Sequence, residues 1–254
     1  MNKALLITTA FTFGVLGFLK EDAHANPSGG SVDGGAATIT EQGKKLDVHQ
    51  HTDRAVINWQ SFDIAPDEYT EFHQPSEAAI AVNRIRDTKP SHIAGQLSAN
   101  GHIVLINPNG MLFSNTARVD VNGLIATTAD IDTESFMKGS HAFDEPGNSD
   151  AVIINEGQIT AKEAGLVGLV APNVINNGII LAKTGRVQLA SGDAVTVDFY
   201  GDELLKVAVV DEDVKSQMVV NTGQLNAEGG QVAMTAAAAR QTINALIVAD
   251  GALQ

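Results

Sequence analysis

Few residues in this 254-residue chain have types and spacings suited to chemistry. Asp130/Asp132 and Asp211/Asp213 have the i, i+2 spacing that places two carboxylates on one strand face. Enzymes that cleave polysaccharides use such pairs for acid–base work or to hold Ca2+. Both pairs lie in stretches that read as surface excursions, where solvated charge accounts for them, so no catalytic residue is expected. His49 and His51 also share a face if their segment is a strand. A metal centre needs further ligands, and none is evident beside them, so neither a metal nor a cofactor is expected. The chain has no Gly-x-Ser-x-Gly elbow, phosphate loop or EF-hand loop. It also has no cysteine, which excludes a disulfide scaffold, a Cys-ligated zinc and a thiol nucleophile. A formal net charge of −14 argues against nucleic acid as a partner.

A few residues suit recognition or architecture instead. Asn107-Pro108-Asn109-Gly110 is a strong turn signal: Pro108 fixes φ at the second position, and Asn109 or Gly110 accepts positive φ. The turn either locks two structural units together or is read directly by a partner. Trp59 is the only tryptophan and reads as a cap or core residue. Asn83 and Arg84 are a candidate recognition pair, with Arg84 bound to an acidic neighbour as the simpler reading.

The elements that must position these residues repeat. A Gly-x-[Ile/Leu] unit begins at Gly101, Gly123, Gly157, Gly178, Gly223 and Gly251, and in the first five an Asn stands one or two places before the Gly. The spacings are 22, 34, 21, 45 and 28. The shortest imply a period near 21–22, with 45 read as two periods and 34 and 28 as one period with insertions. A second unit follows at an offset of 7 or 8: Gly165-x-Val167-x-Leu169, Gly185-x-Val187-x-Leu189 and Gly230-x-Val232-x-Met234. Such alternation predicts a strand with one face buried, and the Gly and Asn predict corners with positive φ. Short strands joined by corners without hairpin turns predict an all-β chain wound as a parallel β-helix, its Asn corners stacked into amide ladders. A β-sandwich with repeated turns is the alternative. The abundance of Ala, Val, Ile, Leu and Gly, with only 5% aromatic residues, suits such stacking.

Segments near 132–150 and 194–215 break the period and read as extra-helical insertions; the second is expected to form a hairpin about Gly201-Asp202, with Asp211-Glu212-Asp213 beyond it. Short alternating runs at Ala37–Thr40, Leu46–Val48 and Ala55–Ile57 lie in a region, 26–75, expected to cap the open end of the coils that follow over 76–254. Residues 1–25 read as a secretory signal peptide: Lys3, an apolar run over Leu5–Leu19, and an Ala23-His24-Ala25 cleavage pattern. Its removal leaves the net charge at −14, since it deletes two Lys and two acids. An exported chain without cysteine fits a Gram-negative secreted or surface protein that crosses a second membrane unfolded.

One ordered set of motifs carries a family resemblance. Ile57-Asn58-Trp59-Gln60-Ser61-Phe62-Asp63-Ile64 is followed by Phe72-His73-Gln74-Pro75, then by Ala81-Val82-Asn83-Arg84-Ile85 and Ser91-His92-Ile93-Ala94-Gly95-Gln96-Leu97. Ile106-Asn107-Pro108-Asn109-Gly110 and Gly123-Leu124-Ile125-Ala126-Thr127-Thr128 complete it. Together they resemble the N-terminal secretion domain of the filamentous-haemagglutinin family, the two-partner secretion exoproteins, over residues 32–254. The resemblance implies a right-handed parallel β-helix with an N-terminal β cap. It implies general Sec export and recognition in the periplasm by an outer-membrane transporter of the Omp85 type with POTRA domains. The passenger then folds outside, as part of an adhesin, haemagglutinin, haemolysin or contact-dependent toxin. No Asn-Pro-Asn-Leu motif is present, so no role tied to that motif is carried over.

The expected function is therefore that of a monomeric secretion domain, secreted or displayed on the cell surface. Asn107, Pro108, Asn109 and Gly110 are its candidate recognition turn, and Asn58, Trp59, Phe62, Gln74, Pro75, Asn83 and Arg84 are its structural or recognition candidates. A β-helix polysaccharide lyase or hydrolase and a stand-alone adhesive module are the alternatives. The final residues, Ile247–Gln254, read as the opening of another coil, as in a fragment or a domain of a longer exoprotein.

Overall fold

Val, Ile and Leu at every second position, punctuated by Asn and Gly, favour short strands that bury one face and turn sharply at each end. The computed structural model, which describes residues 25–199, 206–208, 217–236, 245–249 and 251–253, assembles those strands into three sheets. The first contains Arg54–Trp59, Ile80–Ile85, His102–Ile106, Gly123–Thr127, Leu166–Ala171, Arg186–Ser191 and Gln231–Ala236, all parallel. The second runs through Ser91–Ile93, Gly110–Phe113, Val152–Asn155, Asn173–Asn176, Gln217–Asn221 and Ala245–Ala249. The third runs from Lys45–Gln50 and Tyr69–His73 through Gln96–Ala99, Arg118–Val121, Gln158–Ala161 and Ile179–Ala182 to Gln224–Asn226 and Ala252–Leu253. The chain visits the three in turn, so each circuit is one coil of an all-β parallel β-helix. Among the described residues, antiparallel pairing in these sheets is confined to the N-terminal end, where Ser31–Gly34 pairs with Arg54–Trp59 and Ala37–Gln42 with Lys45–Gln50.

Inside the coils, like residues lie over like. Ile103, Leu124, Val167, Val187 and Val232 are successive register partners in one such column. Parallel pairing at about 4.8 Å brings the partners of such a column into direct packing contact. Asn155, Asn176 and Asn221 form the expected ladder: each is fully buried, and Nδ2 donates to Oδ1 of the next at 2.7 Å in both steps.

The period differs from the sequence expectation in three ways. Gly101 and Gly123 stand between the third and first sheets, together with Gly165, Gly185 and Gly230, whereas Gly157, Gly178, Gly223 and Gly251 stand between the second and third. The spacing of 34 therefore joins two different corners. The spacing of 45 is one coil plus an excursion, since Ile179–Ala182 pairs directly with Gln224–Asn226. Only Asn two places before Gly joins the ladder; Asn100 and Asn122, one place before, bond instead to Gln74 and to the carbonyl of Glu77.

The corner glycines also act differently from expectation. Positive φ at the turns before the first sheet belongs to Ala164 (62°), Thr184 (53°) and Gly229 (76°), each one residue ahead of the stacked glycine. The following glycines are needed for space: a Cβ on Gly185 would lie 2.1 Å from the Gly165 carbonyl oxygen, and one on Gly230 would lie 2.0 Å from that of Gly185.

The first sheet departs from alternation, because both of its faces are buried. Val56, Ile80, Val82, Val104, Ile106, Ile125 and Val170 point away from the coil interior into a second apolar cluster. Two excursions cover it, and both leave the chain between the first and second sheets, after Thr127 and after Ser191. The first carries a one-turn helix, Thr133–Met137, capped by Asp132, whose carboxylate accepts from the Ser135 backbone N–H at 2.8 Å. Its strand Ala142–Phe143 pairs antiparallel with Ala194–Thr196 of the second excursion, which pairs in turn with Lys206–Ala208. Phe136, Phe143, Val195, Val197 and Phe199 close over the cluster, each large side chain worth about 1.5–3 kcal/mol in burial. The segment expected to be a signal peptide (other than Ala25), the expected Gly201-Asp202 corner and the Asp211-Glu212-Asp213 cluster lie outside the described residues. No helix among the described residues is long and apolar enough to cross a membrane.

The ladder supplies a stability test. Asn176→Ala strands the amide of Asn155 and the carbonyl of Asn221 inside the coil, and is expected to cost about 3 kcal/mol. Asn122→Ala, with a half-exposed side chain, should stay within about 1 kcal/mol of the parent; urea denaturation of both variants measures the contrast.

Candidate functional site

The Asn107–Gly110 turn joins the first sheet to the second, at the corner from which both excursions depart. Gly110 N donates to the Asn107 carbonyl at 3.0 Å, closing a four-residue turn. Gly110, not Asn109, takes the positive φ, at 99°; a Cβ there would lie 2.3 Å from the Val152 carbonyl oxygen. Asn107 is fully buried. Its Nδ2 donates to the Lys89 carbonyl and to Ser91 Oγ, both at 3.0 Å, and its Oδ1 accepts from the Asn109 N–H at 2.9 Å. Asn109, half-buried, donates to the Asp87 carbonyl at 2.9 Å and accepts from Asn148 Nδ2 at 2.7 Å. Pro108 is half-buried, and its carbonyl accepts from the Asn148 N–H at 2.9 Å. In the folded chain the motif is thus occupied by the preceding corner on one side and the first excursion on the other.

Asn83 and Arg84 are adjacent on a strand and so face opposite ways. Asn83 points inward, fully buried, and accepts from the Trp59 indole N–H at 3.0 Å. Trp59 packs edge-on against Phe62 with ring centroids 5.6 Å apart. Arg84 points outward but is only 4% exposed, because the N-terminal strand and the first excursion cover it. Its guanidinium donates to Asp130 Oδ1 (2.7 Å), Thr133 Oγ1 (3.1 Å), Asn58 Oδ1 (3.3 Å), Asp33 Oδ2 (3.4 Å) and the Ile131 carbonyl. One side chain therefore ties the cap, two coils and an excursion together. Asp130 is held by Arg84 and Asp132 caps the helix, so the paired carboxylates have separate structural contacts.

Gln74 is buried and bonds to Gln50, the Ala79 and His102 carbonyls and the Gly101 N–H, sealing the corner between the third and first sheets. Pro75 beside it is exposed. Sequence reasoning missed His102, the first residue of its strand. It lies under Phe199 of the second excursion, with ring centroids 5.4 Å apart. Burial, reinforced by the nearby positive charge of Arg186, depresses its pKa to about 4. Half-buried His141, 5.0 Å from Phe199 ring to ring, is lowered in the same sense by burial and then by Arg54, against a smaller opposing pull from Asp198.

Coils of parallel strands, antiparallel strands over one end and excursions braced across one face define a capped parallel β-helix. Comparison with known proteins narrows that class. The TPS secretion domain profile matches residues 23–252, and the chain belongs to that family, the two-partner secretion domains of exoproteins from Gram-negative bacteria. It is 34% identical over 247 residues to a heme/hemopexin-binding protein of Haemophilus influenzae strain Rd, covering 94% of this chain and 26% of that one. A second H. influenzae heme/hemopexin-binding protein is 33% identical over 240 residues, covering 83% of this chain. The chain thus spans about a quarter of the length of these relatives. The crystal structure of the HMW1 secretion domain from H. influenzae superposes with a TM-score of 0.73 at 26% identity, covering 90% of this chain and 64% of that one.

Two outcomes follow from this geometry. Arg84→Ala removes the bonds that tie the N-terminal strand to the first excursion and leaves Asp130 only the longer ion pair to Arg86 at 4.0 Å; it is expected to cost about 3 kcal/mol, read by denaturant unfolding. The second concerns His102. Its folded pKa lies below the usual 6.5, so only the unfolded state takes up its proton as pH falls from about 6.5 to about 4. Stability is therefore lost across that window, and His102→Gln should flatten the decline when unfolding is measured at pH 7.5 and 4.5.

Proposed function

We propose that the chain is delivered to the periplasm by the Sec machinery, loses residues 1–25 and meets a cognate outer-membrane transporter of the Omp85 type. The transporter's POTRA domains bind it as extended chain, and it crosses the barrel and folds outside. There residues 26–75 act as the cap on which the coils of 76–254 are laid. The product is a monomer, secreted or held at the cell surface, and serves export rather than catalysis. The match to the secretion-domain family across nearly the whole chain carries this reading.

Two features favour recognition before folding. Asn107 spends its side-chain hydrogen bonds inside the folded domain, and Arg84 and Asn83 are covered, so a transporter meets these groups only on an unfolded chain. An extended segment can add to a sheet edge of the partner, with backbone hydrogen bonds for affinity and pockets for side chains. The net charge of −14 then steers the chain toward a basic groove.

The test is binding of the purified chain, folded or held unfolded, to the transporter's periplasmic domains across a salt series. The unfolded chain should bind more tightly, and binding should weaken as salt rises. Asn109→Ala should lower the stability of the folded chain while leaving binding of the unfolded chain unchanged. Salt-independent binding, or an Asn109→Ala chain that is fully stable yet not bound, would overturn the reading.

A further inference from the structure

The outer face of the third sheet stacks like residues just as the interior does. Lys45–Gln50 pairs in parallel with Tyr69–His73, with Asp47 opposite Glu71 and His49 opposite His73. Residues two apart share a face, so two carboxylates and two imidazoles gather in one patch. The His49 and His73 rings stack with centroids 4.4 Å apart and planes 14° from parallel. His73 Nε2 lies 2.9 Å from Asp47 Oδ1 and 3.7 Å from Glu71 Oε2. One potential ligand atom from each of Asp47, His49 and His73 lies within 4.8 Å of the other two. His49 is exposed and the other two half-buried, so solvent reaches the cluster.

A cation already sits at the carboxylate end of the patch. Lys45 Nζ is 2.9 Å from Asp47 and 3.0 Å from Glu71. Its side chain is 42% exposed, and its Nζ stands 5.5 Å from the Tyr69 ring centroid, which offers the ammonium another resting place.

We propose that Asp47, His49 and His73 form a surface site for a divalent transition-metal ion of the zinc class, with Glu71 or water as the fourth ligand. Two imidazole nitrogens with carboxylate oxygen suit Zn2+ and its neighbours, whereas Mg2+ and Ca2+ take oxygen ligands. Binding requires the two rings to turn so that one nitrogen of each faces the ion at the usual Zn–N distance of about 2.0–2.1 Å, and Lys45 to swing aside. The bound ion clamps the hairpin strand of the cap to the strand laid beside it.

Calorimetric titration of Zn2+ into the purified chain, with thermal unfolding in its presence and absence, tests the site; Mg2+ is the control. One Zn2+ is expected to bind per chain and, at about a hundredfold excess over Kd, to raise Tm by about 5 °C, with no effect of Mg2+. His49→Asn and His73→Asn should each weaken binding at least about tenfold, while exposed His92→Asn leaves it unchanged. Lys45→Gln should tighten it by removing the competing cation. The site is overturned if Zn2+ does not saturate, if a folded His49→Asn/His73→Asn double variant binds as tightly as the parent, or if Lys45→Gln binds no tighter.

Discussion

Parallel pairing of one coil on the next, at a spacing of about 4.8 Å, governs everything else in this structure. A polar group placed inside at one level must find its hydrogen bonds at that level or the next, and a backbone that comes too close must lose its Cβ. Asn155, Asn176 and Asn221 meet that demand with an amide that both gives and takes a hydrogen bond along the stack. The glycines at 165, 185 and 230 meet it by removing the Cβ where carbonyls come closest. Thr184 accepts a left-handed conformation, costly for a β-branched residue, so that the glycine after it can stack.

The same constraint decides what the sequence discloses. A repeat near 21 residues, strands that alternate and Asn–Gly corners were legible, because stacking imposes them locally. The phase of the corners was not. Gly123 and Gly157 look alike in sequence, but one ends the third sheet's turn and the other begins it; the one-residue difference in Asn offset was the signal that separates them. The continuous apolar runs Ile103–Ile106 and Leu166–Ala171 were a further signal, since a strand buried on both faces does not alternate. Among the site candidates, burial of Trp59 and an acidic partner for Arg84 could be read in advance. The other contacts of Arg84, and the meeting of His49 with His73, depend on register between distant segments, which composition and spacing do not encode.

A β-helix with three outward polar faces would need little more than its coils. Here the first sheet presents apolar side chains outward, and the excursions exist to cover them. Arg84 and His102 are polar groups caught under that cover. Arg84 is supplied with partners from every element above it, whereas His102 is kept neutral by burial and by its cationic neighbour. The cover is thus a place where charge is strictly managed, although it lies outside the coils.

Both long excursions leave from one corner, the junction of the first and second sheets, while the other two corners are held by stacked amides and stacked glycines. The long insertions are thereby confined to a single ridge along the rod. A lineage can lengthen, shorten or exchange segments on that ridge without changing the pitch of a single coil, so divergence in surface shape and inheritance of the scaffold proceed almost independently.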